Sequence, residues 1–324
     1  MWIIVWQSHA QDGFRLHVQH RLNMTSTLSG IVPPMITPLR RRDELDHAGL
    51  ERLIEHLITG GVGGLFLLGT TGEGPALGCR IRRELIEHTC RQVQGRVPVL
   101  VCVTDTSFTE SLNVARAAAE AGADALVAAP PFYWPLAQPE LERYFDALAA
   151  ELPLPLMLYN MPALTKVVIP VATVRRAMDN PKIIGMKDSS GNMGYLHQVL
   201  RARSNRTDWP VLVGDEETLA YALQAGANGG VNGGANVFPK LYAEYFQSAA
   251  SNSERLRTLQ ALVIRMGDLY RIGSHASSGI NGIKCALSLF GICDDLMAEP
   301  FERFSNRERE RVASLLEELK AGMP

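Results

Sequence analysis

Ile183-Ile184-Gly185-Met186-Lys187-Asp188-Ser189-Ser190-Gly191 is the stretch on which the reading of this chain turns. An apolar run stops on one lysine and passes at once into small polar residues. That is the pattern of a short buried strand that delivers a cation at its end and leaves the core through a turn. Two readings of Lys187 are open. Its amine is a nucleophile that condenses with a carbonyl, or it is the head of an ordinary lysine snorkelling to water at a strand end. The nine residues alone favour the second, and the rest of the chain decides.

Outward from this stretch, short apolar runs alternate with amphipathic helical stretches. The runs are Gly30 to Ile36, Gly64 to Leu68, Val99 to Val103, Ala125 to Ala129, Pro155 to Tyr159, Ile183 to Lys187, Val211 to Gly214 and Gly229 to Asn232. Helical patterns cover His47 to Thr59, Arg80 to Gln94, Ser111 to Ala121, Gln138 to Ala150, Ala172 to Met178, Gly194 to Arg203 and Glu217 to Ala225, and several end in glycine at a left-handed cap, as at Gly60-Gly61, Gly122 and Gly226. Continuous rather than alternating apolar strands point to a parallel sheet covered by helices. Eight such units predict an α/β fold, a (β/α)8 TIM barrel, with a doubly wound open sheet as the alternative.

After residue 238 the pattern is helical only, with Leu256, Leu259, Leu262 and Met266 at helical spacing. The expected organisation is an N-terminal extension at 1–28, disordered, a barrel at 29–238, and a C-terminal helical region at 239–324 packed on it. Residues 1–23 read as a disordered extension or an over-called start, because Met24 stands just before the first convincing strand.

The chain has 324 residues, 46% hydrophobic and 20% charged, with a formal net charge of −2. This excludes a basic footprint for nucleic acid and a polybasic membrane face, and no window is apolar enough to span a bilayer. Five cysteines, an odd number without Cys-x-x-Cys spacing, suggest neither a disulfide framework nor a zinc site and fit a cytoplasmic protein. His17 and His20, the one close histidine pair, lack further ligands for a metal. Small-molecule chemistry is what remains.

In such a barrel the active site lies at the C-terminal ends of the strands. Lys187 ends the sixth run, Tyr159 the fifth, and the second leads into Gly69-Thr70-Thr71-Gly72-Glu73. A Schiff-base lysine must be neutral to attack, and only about one free lysine in 2,500 is neutral near pH 7. An apolar surround without a carboxylate favours the neutral form. Iminium chemistry also needs a group that gives and takes protons. Tyr159 serves if hydroxyls polarise it, with Thr71 as the relay and the amides around Thr70 and Thr71 holding a keto acid's carboxylate. Taken singly, Tyr159 reads as a core aromatic and Thr70-Thr71 as a turn. Three matching strand ends favour chemistry.

Gly69-Thr70-Thr71-Gly72-Glu73, Tyr159-Asn160-Met161-Pro162 and Gly185-Met186-Lys187-Asp188, in this order and spacing, resemble the dihydrodipicolinate synthase and N-acetylneuraminate lyase superfamily over residues 28 to 320. The resemblance implies a TIM barrel, usually a homotetramer, whose lysine forms a Schiff base with pyruvate or another 2-keto acid without metal or organic cofactor. It makes Lys187 the Schiff-base lysine, Tyr159 the acid/base, and Thr70, Thr71 and Gly72 the carboxylate-binding turn. Pro131-Phe132-Tyr133-Trp134-Pro135 is similar to the segment that carries a tyrosine into a neighbouring subunit's site, which would complete a relay of Thr71, Tyr133 and Tyr159.

The departures bear on the substrate. Leu164 stands where dihydrodipicolinate synthases usually carry an arginine for a second carboxylate, and an aliphatic side chain cannot bind one. Gly214-Asp215-Glu216-Glu217 resembles the loop that hydrogen-bonds polyol tails in the lyases, although the acidic residues also read as an exposed helix start. Asn232-Gly233-Gly234 lacks the serine of a sialic acid lyase. Phosphate binding, as in many barrels, is the other reading of these glycines, but the segment has no basic residue.

The expected function is a class I lyase that makes or breaks the bond between pyruvate and an aldehyde, acting on a 2-keto-3-deoxy sugar acid or similar 4-hydroxy-2-keto acid. Gly214, Glu216, Glu217, Asn232 and Leu164 would contact the substrate's tail. The alternatives are a dehydratase using the same iminium, a 4-hydroxy-tetrahydrodipicolinate synthase, and a non-catalytic barrel that binds a keto acid.

Overall fold

The computed structural model describes residues 28–203, 206–250 and 254–323. The expectations about an extension before residue 28 and about His17 and His20 fall outside them. Eight strands form one curled parallel sheet: β1 (Gly30–Ile31), β2 (Leu65–Leu67), β3 (Val99–Cys102), β4 (Ala125–Ala128), β5 (Leu156–Asn160), β6 (Ile183–Asp188), β7 (Val211–Val213) and β8 (Gly229–Gly230). They run in the order β1-β8-β7-β6-β5-β4-β3-β2. The two ends of this order meet beyond β1, where Phe66 N donates to Pro33 O at 3.0 Å and Met35 N donates to Phe66 O at 2.9 Å. An open doubly wound sheet would not join its edges in this way.

Every residue of β2 to β6 is buried, as the unbroken apolar runs require of strands covered on both faces. Two runs are shorter as strands than expected. The first ladders only over Gly30–Ile31, because Pro33 and Pro34 have no N–H to give. The eighth stops at Gly230, and a 3-10 turn takes over at Gly233–Asn236. The seam between β1 and β8 requires glycine, since a Cβ on Gly229 would lie 1.9 Å from Gly30 O. Beneath β6, the fully buried Trp209 indole donates to Ile183 O at 3.0 Å. An unexpected hairpin, Leu39–Arg41 with Glu44–Leu45, precedes the first helix.

The helices of the repeating units are α1 (His47–Thr59), α2 (Cys79–Val93), α3 (Phe108–Ala121), α4 (Gln138–Glu151), α5 (Pro162–Thr165), α6 (Val171–Met178), α7 (Met193–Ala202) and α8 (Leu219–Gln224). Asp46 caps α1 by accepting from Gly49 N at 3.0 Å, and Gly122 ends α3 at φ +88°. Beyond them come α9 (Pro239–Ser248), α10 (Glu254–Met266), α11 (Ser278–Leu289) and α12 (Asn306–Gly322). Where the pattern after residue 238 read as helix only, α10 ends at Met266 and a 3-10 turn follows over Gly267–Arg271. On α10 the buried stripe is Leu256, Leu259, Val263 and Met266, so Val263 takes the inner place expected of Leu262. Helix α9 packs on β1, and α11 on the 3-10 turns beside it, which brings the C-terminal helices to the sheet.

Candidate active site

Alternation along β6 decides which way its last residues face. Lys187 turns into the barrel, 5% exposed, with Nζ 4.1 Å from the centre of the Tyr159 ring and 4.6 Å from that of Phe66. Among the described residues no carboxylate pairs with it. Asp188 turns the other way into a polar knot: its carboxylate accepts from Asn160 Nδ2 at 2.9 Å, Ser190 N at 3.1 Å and Ser190 Oγ at 3.0 Å. Burial raises the Asp188 carboxyl above its ordinary range, and these hydrogen bonds oppose the rise. The ladder sets Tyr159 opposite Lys187 and Asn160 opposite Asp188. The Asn160–Asp188 bond therefore holds phenol and amine side by side from the far face of the sheet.

Above Lys187 opens a cavity of about 550 Å³ at the C-terminal strand ends. Thr70, Thr71, Tyr159, Lys187, Gly214 and Glu216 all line it, together with Tyr270 and the first turn of α11. A larger groove of about 1190 Å³ lies between α1, α9 and the ends of α11 and α12, but it holds none of the residues singled out by sequence.

The neighbours of the Tyr159 phenol differ in detail from those expected. The hydroxyl nearest the Tyr159 phenol is that of Thr70, 3.5 Å away, and not that of Thr71. Both threonines of the turn after β2 line the cavity wall. Gly72 contributes backbone rather than wall, its carbonyl accepting from Thr37 Oγ1 at 2.7 Å.

Several expected tail-binding residues lie elsewhere. Glu217 faces outward and pairs with Arg271 at 2.6 Å. Asn232 is buried and reaches back to the carbonyls of Val213 and Gly214 at 3.4 Å each, so it braces β7 against β8. Leu164, on the short α5, is 52% exposed and outside the cavity. Tyr133 is 84% exposed at φ +84°, its ring 5.7 Å from that of Trp134, and neither touches this chain's own cavity.

Glu216 does face the cavity. Its Oε1 accepts from Tyr270 Oη at 2.5 Å and Gly234 N at 3.0 Å, and Tyr242 Oη donates to Oε2. Burial raises the carboxyl above its ordinary value, against those hydrogen bonds. Sequence reasoning missed Tyr270, Ser189, Ser190 and Asp215, all on the wall. The serines stood in the opening stretch itself, directly after a strand end, which was signal enough. Tyr270 lay in a stretch that read as helix, where nothing set it apart from its neighbours.

No helix of the described residues is long and apolar enough to cross a membrane, and no group of three or more metal-ligating side chains is found among them.

Comparison with known proteins agrees with the fold. The sequence profile of the Dihydrodipicolinate synthetase family matches residues 27–319. A probable 2-dehydro-3-deoxy-D-pentonate aldolase of Escherichia coli (strain K12) is 33% identical over 72% of this chain and 81% of its own length. Among solved structures, dihydrodipicolinate synthase from Bacteroides thetaiotaomicron superposes with a TM-score of 0.87 at 50% identity, covering 90% of this chain and 98% of the other. YagE from E. coli K12, solved in complex with pyruvate, superposes at 0.85 with 29% identity over 90% of this chain and 98% of its own. With its curled eight-stranded sheet and the match running almost from end to end, this chain belongs to the dihydrodipicolinate synthetase family and is an enzyme of the lyase class.

Proposed function

We propose that the protein is a pyruvate-dependent class I aldolase on a (β/α)8 barrel with a C-terminal helical extension, acting on a 2-keto-3-deoxy sugar acid or a related 4-hydroxy-2-keto acid. The observation that carries this reading is a buried amine with no anionic partner, set over two aromatic rings at the floor of a cavity with a phenol beside it. An amine so placed is open to a carbonyl carbon that enters the cavity, with no carboxylate in the way.

In the proposed reaction, Nζ of Lys187 adds to the C2 carbonyl, and Tyr159 gives its proton to the departing hydroxyl, so that water leaves and a protonated imine stands beside the Tyr159 phenolate. The C4 hydroxyl then gives its proton to Tyr159, the C3–C4 bond breaks, and its electron pair passes to the imine, releasing an aldehyde and leaving an enamine. Protonation at C3 and hydrolysis return pyruvate and the free amine. Thr70 and Thr71 bind the C1 carboxylate. The protonated imine is itself the electron sink, so the scheme uses neither metal nor organic cofactor.

The walls support the sugar-acid class. Beyond Lys187 the lining offers Ser189, Ser190, Asp215, Glu216 and Tyr270 and contains no second basic side chain. Such a surface suits a hydroxylated tail and repels a second carboxylate. The 50% identity to a structure named dihydrodipicolinate synthase favours a second reading, 4-hydroxy-tetrahydrodipicolinate synthase. Leu164, where an arginine would be wanted, and the acidic wall speak against it.

The proposed enzyme is cytoplasmic and a homotetramer, in which the exposed Tyr133 of each subunit reaches a neighbour's cavity and joins the relay. Sedimentation analysis tests the assembly: a monomer at micromolar concentration contradicts it. Product analysis on a panel of 2-keto-3-deoxy sugar acids tests the reaction. Released pyruvate is the expected result, whereas water loss to a semialdehyde would assign a dehydratase.

A further inference from the structure

A second lysine is buried more deeply than the first. Lys284, on α11, is 0% exposed and forms an ion pair with Glu73, whose side chain is equally sealed. Lys284 Nζ also donates to Leu296 O at 2.7 Å, and Glu73 Oε1 accepts from Ala298 N at 2.7 Å. Two chain segments more than two hundred residues apart are thus tied by charges withdrawn from water.

The place of Glu73 gives the tie its meaning. It lies two residues after Thr71 and holds a left-handed backbone, φ +57°, that a non-glycine residue adopts only when its surroundings impose it. Its N–H donates to Thr70 O at 3.0 Å, closing the turn. From the other side Thr37 holds the Gly72 carbonyl at 2.7 Å. The segment Thr70–Thr71 is therefore clamped between Thr37 and the ion pair, while Ile280 and Ile283, on the same helix as Lys284, line the cavity.

We infer that the Glu73–Lys284 pair is a positioning device: it fixes the turn of Thr70 and Thr71 so that their amides and hydroxyls meet the keto acid's carboxylate. Neither residue touches substrate. This rests on the proposed roles of Lys187 and of the Thr70–Thr71 turn. A pair that served stability alone would be expendable for recognition once both charges were removed together, since replacing a whole buried pair by neutral groups of similar size costs far less than breaking it.

The test uses the full chain and its Glu73→Gln/Lys284→Met double variant. It measures the concentrations of pyruvate and of methyl pyruvate, which lacks the free carboxylate, that give half-maximal borohydride labelling of Lys187. A rise of tenfold or more for pyruvate, with methyl pyruvate unchanged and saturated labelling intact, is the expected result. Unchanged values for both ligands, or an equal rise for both, overturns the inference. A double variant that does not fold overturns it too, because the pair would then be holding the barrel and not the turn. A wild-type protein that pyruvate does not label removes the proposed function, and the inference with it.

Discussion

Lys187 and Lys284 are both withdrawn from water, 5% and 0% exposed, yet they stand in opposite settings. Lys284 has a carboxylate and a carbonyl as partners. Lys187 has the faces of two rings and an open cavity. The comparison teaches that burial does not by itself make a reactive amine. A paired buried lysine is tied to its carboxylate and closed off from any ligand; an unpaired one at a cavity floor is free to meet a carbonyl.

The sharpest way to break the comparison is to remove each amine in turn. Lys187→Met should lower turnover by at least about 10³-fold, as loss of a covalent nucleophile does. It should leave thermal stability equal or higher, because it breaks no ion pair and puts an apolar side chain of similar length against two rings. Lys284→Met should do the reverse to the fold, costing about 3–5 kcal/mol by stranding the Glu73 carboxylate, most of it recovered when Glu73→Gln is added. Urea titration of the three variants beside the wild type measures this. Similar destabilisation by both single substitutions would erase the distinction.

Glu216 sharpens the comparison from the acidic side, being buried like Glu73 but held by neutral donors only. Burial raises its carboxyl, so the folded chain keeps that proton to higher pH than the unfolded chain does. Its contribution to stability is whole below its ordinary value of 4.5 and is lost as pH rises through the raised folded value. Glu216→Gln should flatten the fall in unfolding midpoint across that window, and an unchanged slope counts against the assignment. The smallest effect belongs to a solvated pair. Arg176, 52% exposed beside Glu142 at 2.8 Å, should change the midpoint hardly at all on replacement by alanine.

The barrel was legible because its strands are unbroken apolar runs and its helices are amphipathic, and both patterns survive in a linear text. That Lys187 and Tyr159 would stand side by side was legible because each lies at the end of its strand, whereas the sequence set Thr71 rather than Thr70 beside the phenol. The rest depended on chain path. Glu217 and Glu216 are neighbours in sequence, but the turn into α8 sends one to Arg271 and the other into the wall, and nothing in Asp-Glu-Glu distinguishes them. Asn232 looked like a ligand contact because it follows a strand, yet two carbonyls of β7 claim its amide. Tyr270 was hidden by a helix that breaks where periodicity gave no sign. The Glu73–Lys284 tie joins segments too far apart for any local pattern to link.

The central claim is that the unpaired lysine, and not the paired one, is the nucleophile. Borohydride reduction of the protein with pyruvate, followed by peptide mapping, tests it most directly. The account predicts one reduced pyruvyl adduct on the peptide carrying Lys187, none on that carrying Lys284, and no adduct in Lys187→Met. An adduct that persists in Lys187→Met, or a wild-type protein left unlabelled, would contradict it.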